Sequence, residues 1–251
     1  MQRGFSLVEL AIVLVILGLL TGGILAGQSL IRAAELRGVV SETKKMRTAF
    51  LSFRQKYFGL PGDLANATAF WGTDPNGCAD KTVNAPKQQP TCDGNGNGEI
   101  SNYPYSQAER FRSWQHLSNA GLIAGNYTGV SAGGAAAYNQ ASIGENVPGS
   151  RLGDAYWYVL YIGPRTGHAE YFDGSYGNSL FLRSTGGLQP EELWNVDAKI
   201  DDGMPATGRI RTTKASGSYS PNCAVGDDAD SPYNLSSSNR DCVRLYLLLG
   251  M

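Results

Sequence analysis

The sequence predicts an α+β protein in which one long N-terminal α-helix packs on a head that contains an antiparallel β-sheet. The first observation is an unbroken apolar run at residues 10–20 that passes into an amphipathic segment ending near Tyr57. The second is the composition beyond that segment, where Gly, Asn, Ser and Tyr separate short runs of aromatic and branched residues. A long helix followed by several short strands favours this fold class.

The N-terminal helix is predicted over residues 5–58, with Gly59 and Pro61 as its stop signal. Such a helix is about 80 Å long, so a head of this size cannot bury all of it. Residues 5–27 alone span about 35 Å, enough to cross a bilayer. We expect this half to pack on lipid and then on other copies, and the second half on its own head. The predicted packing face of the second half comprises Ile31, Ala34, Met46, Phe50, Phe53 and Tyr57.

The head, residues 59–251, is predicted to contain two helices and four strands. The helices cover residues 106–120, before a stop at Gly121, and 191–200, after Pro190. The strands cover residues 155–162, 178–183, 208–213 and 243–249. The first strand alternates aromatic residues, which we interpret as core on one face and cross-strand packing on the other; a ligand-stacking surface is the alternative.

Charge and motif content exclude two classes of function. The chain has 21 Lys and Arg against 22 Asp and Glu, which argues against a basic nucleic-acid-binding surface, so no nucleic-acid partner is expected. The only histidines are His116 and His168, and neither has the spacing of a metal ligand. His116 is interpreted as a helix-packing residue. No nucleophile motif, phosphate-binding loop or paired-acid cleft is visible, so an enzyme is not expected.

Four cysteines form two local pairs, Cys78 with Cys92 and Cys223 with Cys242. None has the Cys-x-x-Cys spacing of a zinc site, and a chain exported across a membrane meets an oxidising compartment. Two disulfides are therefore predicted. Pairing across the two loops stays open at this stage.

Glu9 is the one carboxylate at the start of the apolar segment. An unpaired charge in the hydrocarbon core costs about 2.5–3.5 kcal/mol even on the mildest scales, so Glu9 needs a partner. One alternative is a monotopic anchor in which Glu9 reaches the headgroups. Another is an ordinary secretory signal peptide with cleavage near Ala26, although such signals have a longer charged leader and no acid in the apolar run.

The run Gly4-Phe5-Ser6-Leu7-Val8-Glu9-Leu10 resembles the type III signal of type IV pilins and type II secretion pseudopilins. The resemblance implies a type IV pilin-like fold and a leader peptide, residues 1–4, that a prepilin peptidase and methyltransferase removes. Phe5 then becomes the N-methylated first residue. It also implies that Glu9 pairs with the Phe5 ammonium of a neighbouring subunit. The Cys223–Cys242 loop is similar to the C-terminal disulfide loop of these pilins.

What the resemblance implies for function is a structural subunit of a type IV pilus-like filament, homo- or hetero-oligomeric, handled by an inner-membrane assembly machinery. Before assembly the chain is expected to cross the inner membrane once, with a periplasmic head. It then joins a cell-surface pilus or a periplasmic secretion pseudopilus. The competing class is a membrane-anchored surface protein for cell adhesion that never polymerises.

The segment from Asp93 to Ile100 resembles the first part of an EF-hand-type calcium loop, with oxygen side chains at positions one, three and five and Gly at position six. Position twelve is Pro104, so the bidentate Glu is missing, and Glu109 is expected to reach back in its place. The alternative is a solvated Gly-Asn turn. The candidate calcium ligands are Asp93, Asn95, Asn97, Glu99 and Glu109. Three further acids, Asp197, Asp201 and Asp202, are interpreted as a helix end and turn.

Overall fold

The computed structural model describes residues 6–75, 78, 90–101, 109–131, 140–153 and 155–250. Helix α1 runs from Leu7 to Tyr57, close to the predicted range, and the predicted first residue, Phe5, lies outside the described residues. The helix begins at the cap residue Ser6 and ends at Phe58, which adopts a left-handed conformation (φ 56°). The Phe58 N–H donates to the Arg54 carbonyl at 2.9 Å, which completes the C-terminal cap.

Helix α1 is exposed in its first half and packed in its second. Every residue from 6 to 26 is exposed, and burial begins near residue 38. The predicted packing face is correct for Phe50 and Phe53 but wrong for Ile31, which is 63% exposed, and for Ala34. Arg32, which lies between Ile31 and Ala34 in the sequence, still reaches Glu192 of the head, so these two residues are exposed because they lie on another side of α1. The buried residues of α1 are Gly38, Val39, Thr43, Ala49, Phe50 and Phe53.

The head contains a four-stranded antiparallel sheet in the order β1-β2-β4-β3. The strands are β1 (Ala155–Ile162), β2 (Gly177–Leu188), β3 (Ile210–Arg211) and β4 (Cys242–Leu248). The fold is therefore α+β, with a long N-terminal apolar helix and an antiparallel sheet, as predicted.

Strand β3 is shorter than the predicted range of residues 208–213. The Asp201 carboxylate accepts hydrogen bonds from the backbone N–H groups of Arg209 and Ile210, so these groups are held by a side chain at the point where the strand begins. After Arg211, the Thr212 N–H donates to the Pro205 carbonyl at 2.9 Å instead of to the sheet.

Three shorter helices complete the described elements: α2 (Ala67–Trp71), α3 (Glu109–Asn119) and α4 (Pro190–Ile200). Helix α2 was not expected from the sequence. The first part of the helix predicted over residues 106–120 lies outside the described residues. In α4, Pro190 occupies the first turn and Glu192 closes a capping box with Gln189.

The core forms where α1 and α3 pack on one face of the sheet. Phe50 meets Trp114 of α3 edge-on with ring centroids 5.7 Å apart, and Trp157 of β1 is buried in the same cluster. On the opposite sheet face, Tyr158 meets its cross-strand neighbour Phe181 at 5.7 Å. The alternating aromatic residues of β1 therefore divide between the core and cross-strand packing, as expected.

His116 is fully buried under α1, where its ring stacks on Phe53 at 6.2 Å. Its Nδ1 accepts the Gly62 backbone N–H at 2.9 Å. Burial, with the charge of Arg112 adding to it, lowers the pKa of His116 to about 3. The imidazole is therefore neutral at pH 7 and packs between helices, as the sequence analysis predicted.

Disulfides join Cys78 to Cys92 and Cys223 to Cys242, so each bond lies within its local pair. The second bond ties the first residue of β4 to the loop that follows β3, and both of its cysteines are buried. The segment between Cys223 and Cys242 is called the disulfide loop below.

Candidate functional site

Of the residues assigned to processing and assembly, Glu9 lies in the exposed half of α1. Gly4 and Phe5 lie outside the described residues. Glu9 lies in the first turn, where its Oε2 accepts the Ser6 backbone N–H at 2.8 Å, and Ser6 Oγ accepts the Val8 N–H at 3.3 Å. These bonds form a capping box. Within one subunit, Glu9 therefore caps the helix, a role that the sequence analysis did not assign to it.

The surface of α1 that follows Glu9 is continuous and apolar. Glu9 is the only charged residue between positions 6 and 31. Helix α1 is long and apolar enough to cross a membrane, and its most apolar window is fully exposed. Four glycines, Gly18, Gly22, Gly23 and Gly27, have open space where a side chain would stand. Small residues of this kind let neighbouring helices approach closely in a bilayer or a bundle.

An ion pair clamps α1 to the head just beyond the apolar segment. Arg32 Nε and Nη2 donate to the two oxygens of Glu192 at 2.5 and 2.8 Å, and Arg32 Nη1 donates to Glu35 at 3.0 Å. Burial alone raises the pKa of Glu192, but the bonds from Arg32 and from the Gln189 N–H hold it below its usual value. Because Glu192 also caps α4, the pair ties the start of α4 to α1.

A second carboxylate of α1, Glu42, holds the segment that precedes β1. Its oxygens accept the Ser150 hydroxyl at 2.6 Å, the Arg151 N–H at 3.0 Å and the Trp157 indole N–H at 3.4 Å. Glu42 and Glu192 together fix the rotation of α1 on the head. This rotation decides which side of the helix the head leaves uncovered.

The predicted calcium loop, residues 93–100, is wrapped around two carboxylates. Glu109 at the start of α3 does reach back to it: its Oε1 accepts the Asn95 N–H at 3.1 Å and its Oε2 accepts the Ser101 N–H at 2.8 Å. Burial raises the pKa of Glu109, against these hydrogen bonds, and the nearby charge of Asp63 adds to the rise.

Asp63 is the second carboxylate, and the sequence analysis missed it. Its Oδ1 accepts the Asn97 N–H at 3.1 Å and its Oδ2 accepts the Gly98 N–H at 2.9 Å. The loop passes so close that a Cβ on Gly94 would overlap the Asp63 backbone. The sequence shows Asp63 only as an acid in the turn after α1. Such a position does not predict hydrogen bonds to a loop more than thirty residues away.

The other predicted ligands point to hydrogen-bond partners within the chain. Asp93 turns both carboxylate oxygens to Thr68 at the start of α2, with 2.7 Å to its N–H and 3.0 Å to its hydroxyl. Asn95 Oδ1 accepts the Asn97 N–H, and Asn97 Oδ1 accepts the Glu99 N–H, each at 2.9 Å. Calcium binding here stays a prediction. It requires the Asp93 carboxylate to give up its hydrogen bonds from Thr68 and to bind the metal instead.

If calcium does bind this loop, the full-length protein in detergent should melt higher in calcium than in chelator. Binding to the folded state alone contributes about 2.7 kcal/mol at one hundred times the Kd. Asp93→Asn should lose the part of the difference that this loop supplies, because a hard cation needs the charged ligand while the amide oxygen still accepts from Thr68. Differential scanning fluorimetry of both proteins measures this. Equal calcium responses in the two proteins contradict it and leave the solvated-turn interpretation.

One family model, described as the prokaryotic N-terminal methylation motif, matches residues 1–25. The chain therefore carries a prepilin signal of the type IV pilin and pseudopilin kind. This motif is typical of structural, non-enzymatic subunits. No curated protein and no solved structure matches the chain.

Proposed function

We propose that the chain is a structural subunit of a type IV pilus-like filament, cleaved after Gly4, methylated on Phe5 and polymerised through the exposed half of α1. One observation carries the proposal: the prepilin signal at residues 1–25 overlaps the first half of α1, where every residue from 6 to 26 is exposed. The signal supports processing, and the uncovered helix supports assembly.

The energetics of the exposed half favour burial outside the subunit. Large side chains such as Leu7, Leu19 and Leu30 are each more than 70% exposed. Burying apolar surface gains about 25 cal/mol per Å², so a row of such residues drives strong association with lipid or with other helices. Lipid would cover this apolar surface before assembly, and neighbouring α1 helices would cover it afterwards.

The packed half of α1 supports the same proposal, in which one half of the helix assembles and the other half carries the head. Arg32, Glu42 and the buried residues from 38 to 53 hold the head rigidly on one side of α1. Stacked subunits would then present their heads outward around a core of apolar helices. Before assembly the head is periplasmic and α1 is anchored in the inner membrane, where a prepilin peptidase and the assembly machinery are its partners.

Processing gives the first prediction of this function. Mass spectrometry of the mature protein should find N-methyl-Phe5 at its amino terminus. Gly4→Val should retain residues 1–4, because the peptidase cuts after that glycine, whereas Gly18→Ala should be processed normally. An amino terminus near Ala26 or Gly27 would return the chain to the ordinary secretory class and defeat the proposal.

Negative-stain imaging of a deletion strain, with and without the restored gene, tests filament formation itself. Surface filaments that depend on the gene support a pilus. Loss of protein secretion without loss of surface filaments supports a secretion pseudopilus instead. Surface display of the chain with neither phenotype supports the membrane-anchored adhesin.

A further inference from the structure

Three aspartates converge where α4 ends and the chain turns towards β3. One carboxylate oxygen from each of Asp197, Asp201 and Asp202 lies within 4.8 Å of the corresponding oxygen of the other two. Helix α4 does end at Ile200, as the sequence analysis predicted. A helix end and turn alone, however, does not require three carboxylates in one place. These residues are called the aspartate cluster.

Asp197 lies at the bottom of the cluster and is 0% exposed. Its Oδ2 accepts the Tyr233 hydroxyl at 2.8 Å. Its buried Oδ1 has no donor in hydrogen-bonding geometry among the described residues, although the Gly203 N–H lies close enough to Asp197 to lower its pKa. A buried carboxylate oxygen without a partner is costly, because the charge has lost its water. The cluster therefore contains an unsatisfied acceptor beside two further carboxylates.

The other two carboxylates are held in place by the turn that follows them. The Asp201 carboxylate accepts from the N–H groups of Arg209 and Ile210, and Asp202 accepts the Met204 N–H at 2.9 Å and the Thr207 hydroxyl at 2.8 Å. Both side chains close over Gly208, where a Cβ would overlap the Asp201 carboxylate. The donors fix both carboxylates without neutralising their charge.

The charge of the cluster is only partly balanced. Among the described residues, one ion pair reaches it, from Arg209 Nε to Asp201 Oδ1 at 3.7 Å, and the Arg209 side chain is 54% exposed. Burial raises the pKa of Asp197 to about 7, against the Tyr233 bond and the Gly203 amide, and the charges of Asp202 and Asp201 add to the rise. A further positive charge is the simplest way to relieve this repulsion.

We propose that the aspartate cluster binds a calcium ion between Asp197, Asp201 and Asp202. Calcium takes six to eight oxygen ligands at about 2.3–2.6 Å, so two ligands on opposite sides of the ion lie about 4.6–5.2 Å apart. The separations within the cluster fit this span. The rest of the shell would come from water on the exposed side of Asp202.

The donor set selects calcium over other divalent ions. Zinc prefers His and Cys, and this group of three ligands contains neither. Magnesium keeps several waters and is usually bound through one or two carboxylates at about 2.0–2.1 Å, in near-ideal octahedral geometry. Three carboxylates held by an irregular turn suit the larger and more tolerant ion.

A calcium ion here would stabilise the side of the head that faces α1. Asp197 joins the cluster to the disulfide loop through Tyr233, and Asp201 joins it to the start of β3. The other end of α4 is clamped to α1 by Glu192 and Arg32. The metal would therefore lock α4, the disulfide loop and β3 together.

Terbium luminescence of the full-length protein in detergent tests the site. Trp194 lies beside the cluster, since its Nε1 is 3.4 Å from where a Cβ on Gly203 would stand, so it can sensitise a bound lanthanide. Terbium should luminesce under tryptophan excitation, and millimolar calcium should displace it.

The Asp202→Asn variant removes one charge but keeps the side-chain oxygen that accepts the Met204 N–H. It should weaken calcium binding at least tenfold. Glu191→Gln, on the same helix but exposed and outside the cluster, should bind like wild type.

Three results would overturn the proposal. The first is a calcium affinity of Asp202→Asn equal to that of wild type. The second is loss of binding in Asp93→Asn with full binding in Asp202→Asn, which would assign the ion to the loop at residues 93–100. The third is a wild-type melting temperature that calcium leaves unchanged at about pH 8. In that case a proton alone would satisfy the cluster: a raised carboxyl pKa stabilises the fold below about pH 4, and this contribution is lost as the pH rises through about 7.

Discussion

Cells whose only copy of this protein is Glu9→Ala are expected to make few or no filaments, although the variant protein is cleaved and inserted in the membrane. Glu9 is the only charge between residues 6 and 31, and the proposed assembly would bury this stretch among other helices. The proposed partner is the Phe5 ammonium of a neighbouring subunit, so both charges are neutralised only in the correct register. Filament yield by electron microscopy, with immunoblots of sheared and cell fractions, measures the effect.

Two further variants separate this ion pair from helix capping. Glu9→Gln removes the charge but still offers an oxygen to the Ser6 N–H, so it keeps the capping box and should fail to assemble. Ser6→Ala removes the cap hydroxyl, which costs about 0.5–2 kcal/mol of helix stability, but keeps the charge and should assemble. Wild-type filaments from Glu9→Gln would show that Glu9 acts through the cap, and the ion-pair hypothesis would be wrong.

Phe53→Ala is expected to lower the free energy of unfolding by about 3–5 kcal/mol. Phe53 is 0% exposed, and its ring contacts Tyr57 at 4.6 Å and both Trp71 and His116 at 6.2 Å between centroids. Its removal leaves a cavity where α1, α2 and α3 meet. Denaturant unfolding of the full-length protein in detergent, followed by tryptophan fluorescence, measures the loss.

Phe58→Ala is the matched control, because it removes the same side chain five residues later. Phe58 is 93% exposed and already left-handed in backbone conformation, and Ala meets the same backbone strain there. The control should change stability by less than about 0.5 kcal/mol. Equal losses from the two variants would mean that α1 does not pack on the head through Phe53.

The sequence by itself determined the features that depend on neighbouring residues. Helical spacing and the stop at Gly59 predicted α1 almost to its ends, and alternating aromatic residues predicted β1 and both of its faces. The cysteine content also predicted two disulfides but left their pairing open, and in the structure each bond joins the cysteines of one local pair. The prepilin signal is a linear motif within residues 1–25, so it can be recognised from the sequence without the fold of the head.

Tertiary structure alone decided which side chains meet across long separations. Ile31 and Ala34 have the helical spacing of a packing face, yet they are exposed because α1 turns another side, the one that carries Arg32, towards the head. Asp63 under the loop at residues 93–100, Arg32 on Glu192 and Tyr233 on Asp197 join residues more than thirty positions apart. Strand β3 is short at its start because the Asp201 carboxylate accepts from the backbone N–H groups of Arg209 and Ile210. Periodicity reports which face of an element is apolar, but only the packed chain determines what covers that face and which charges are left to neutralise.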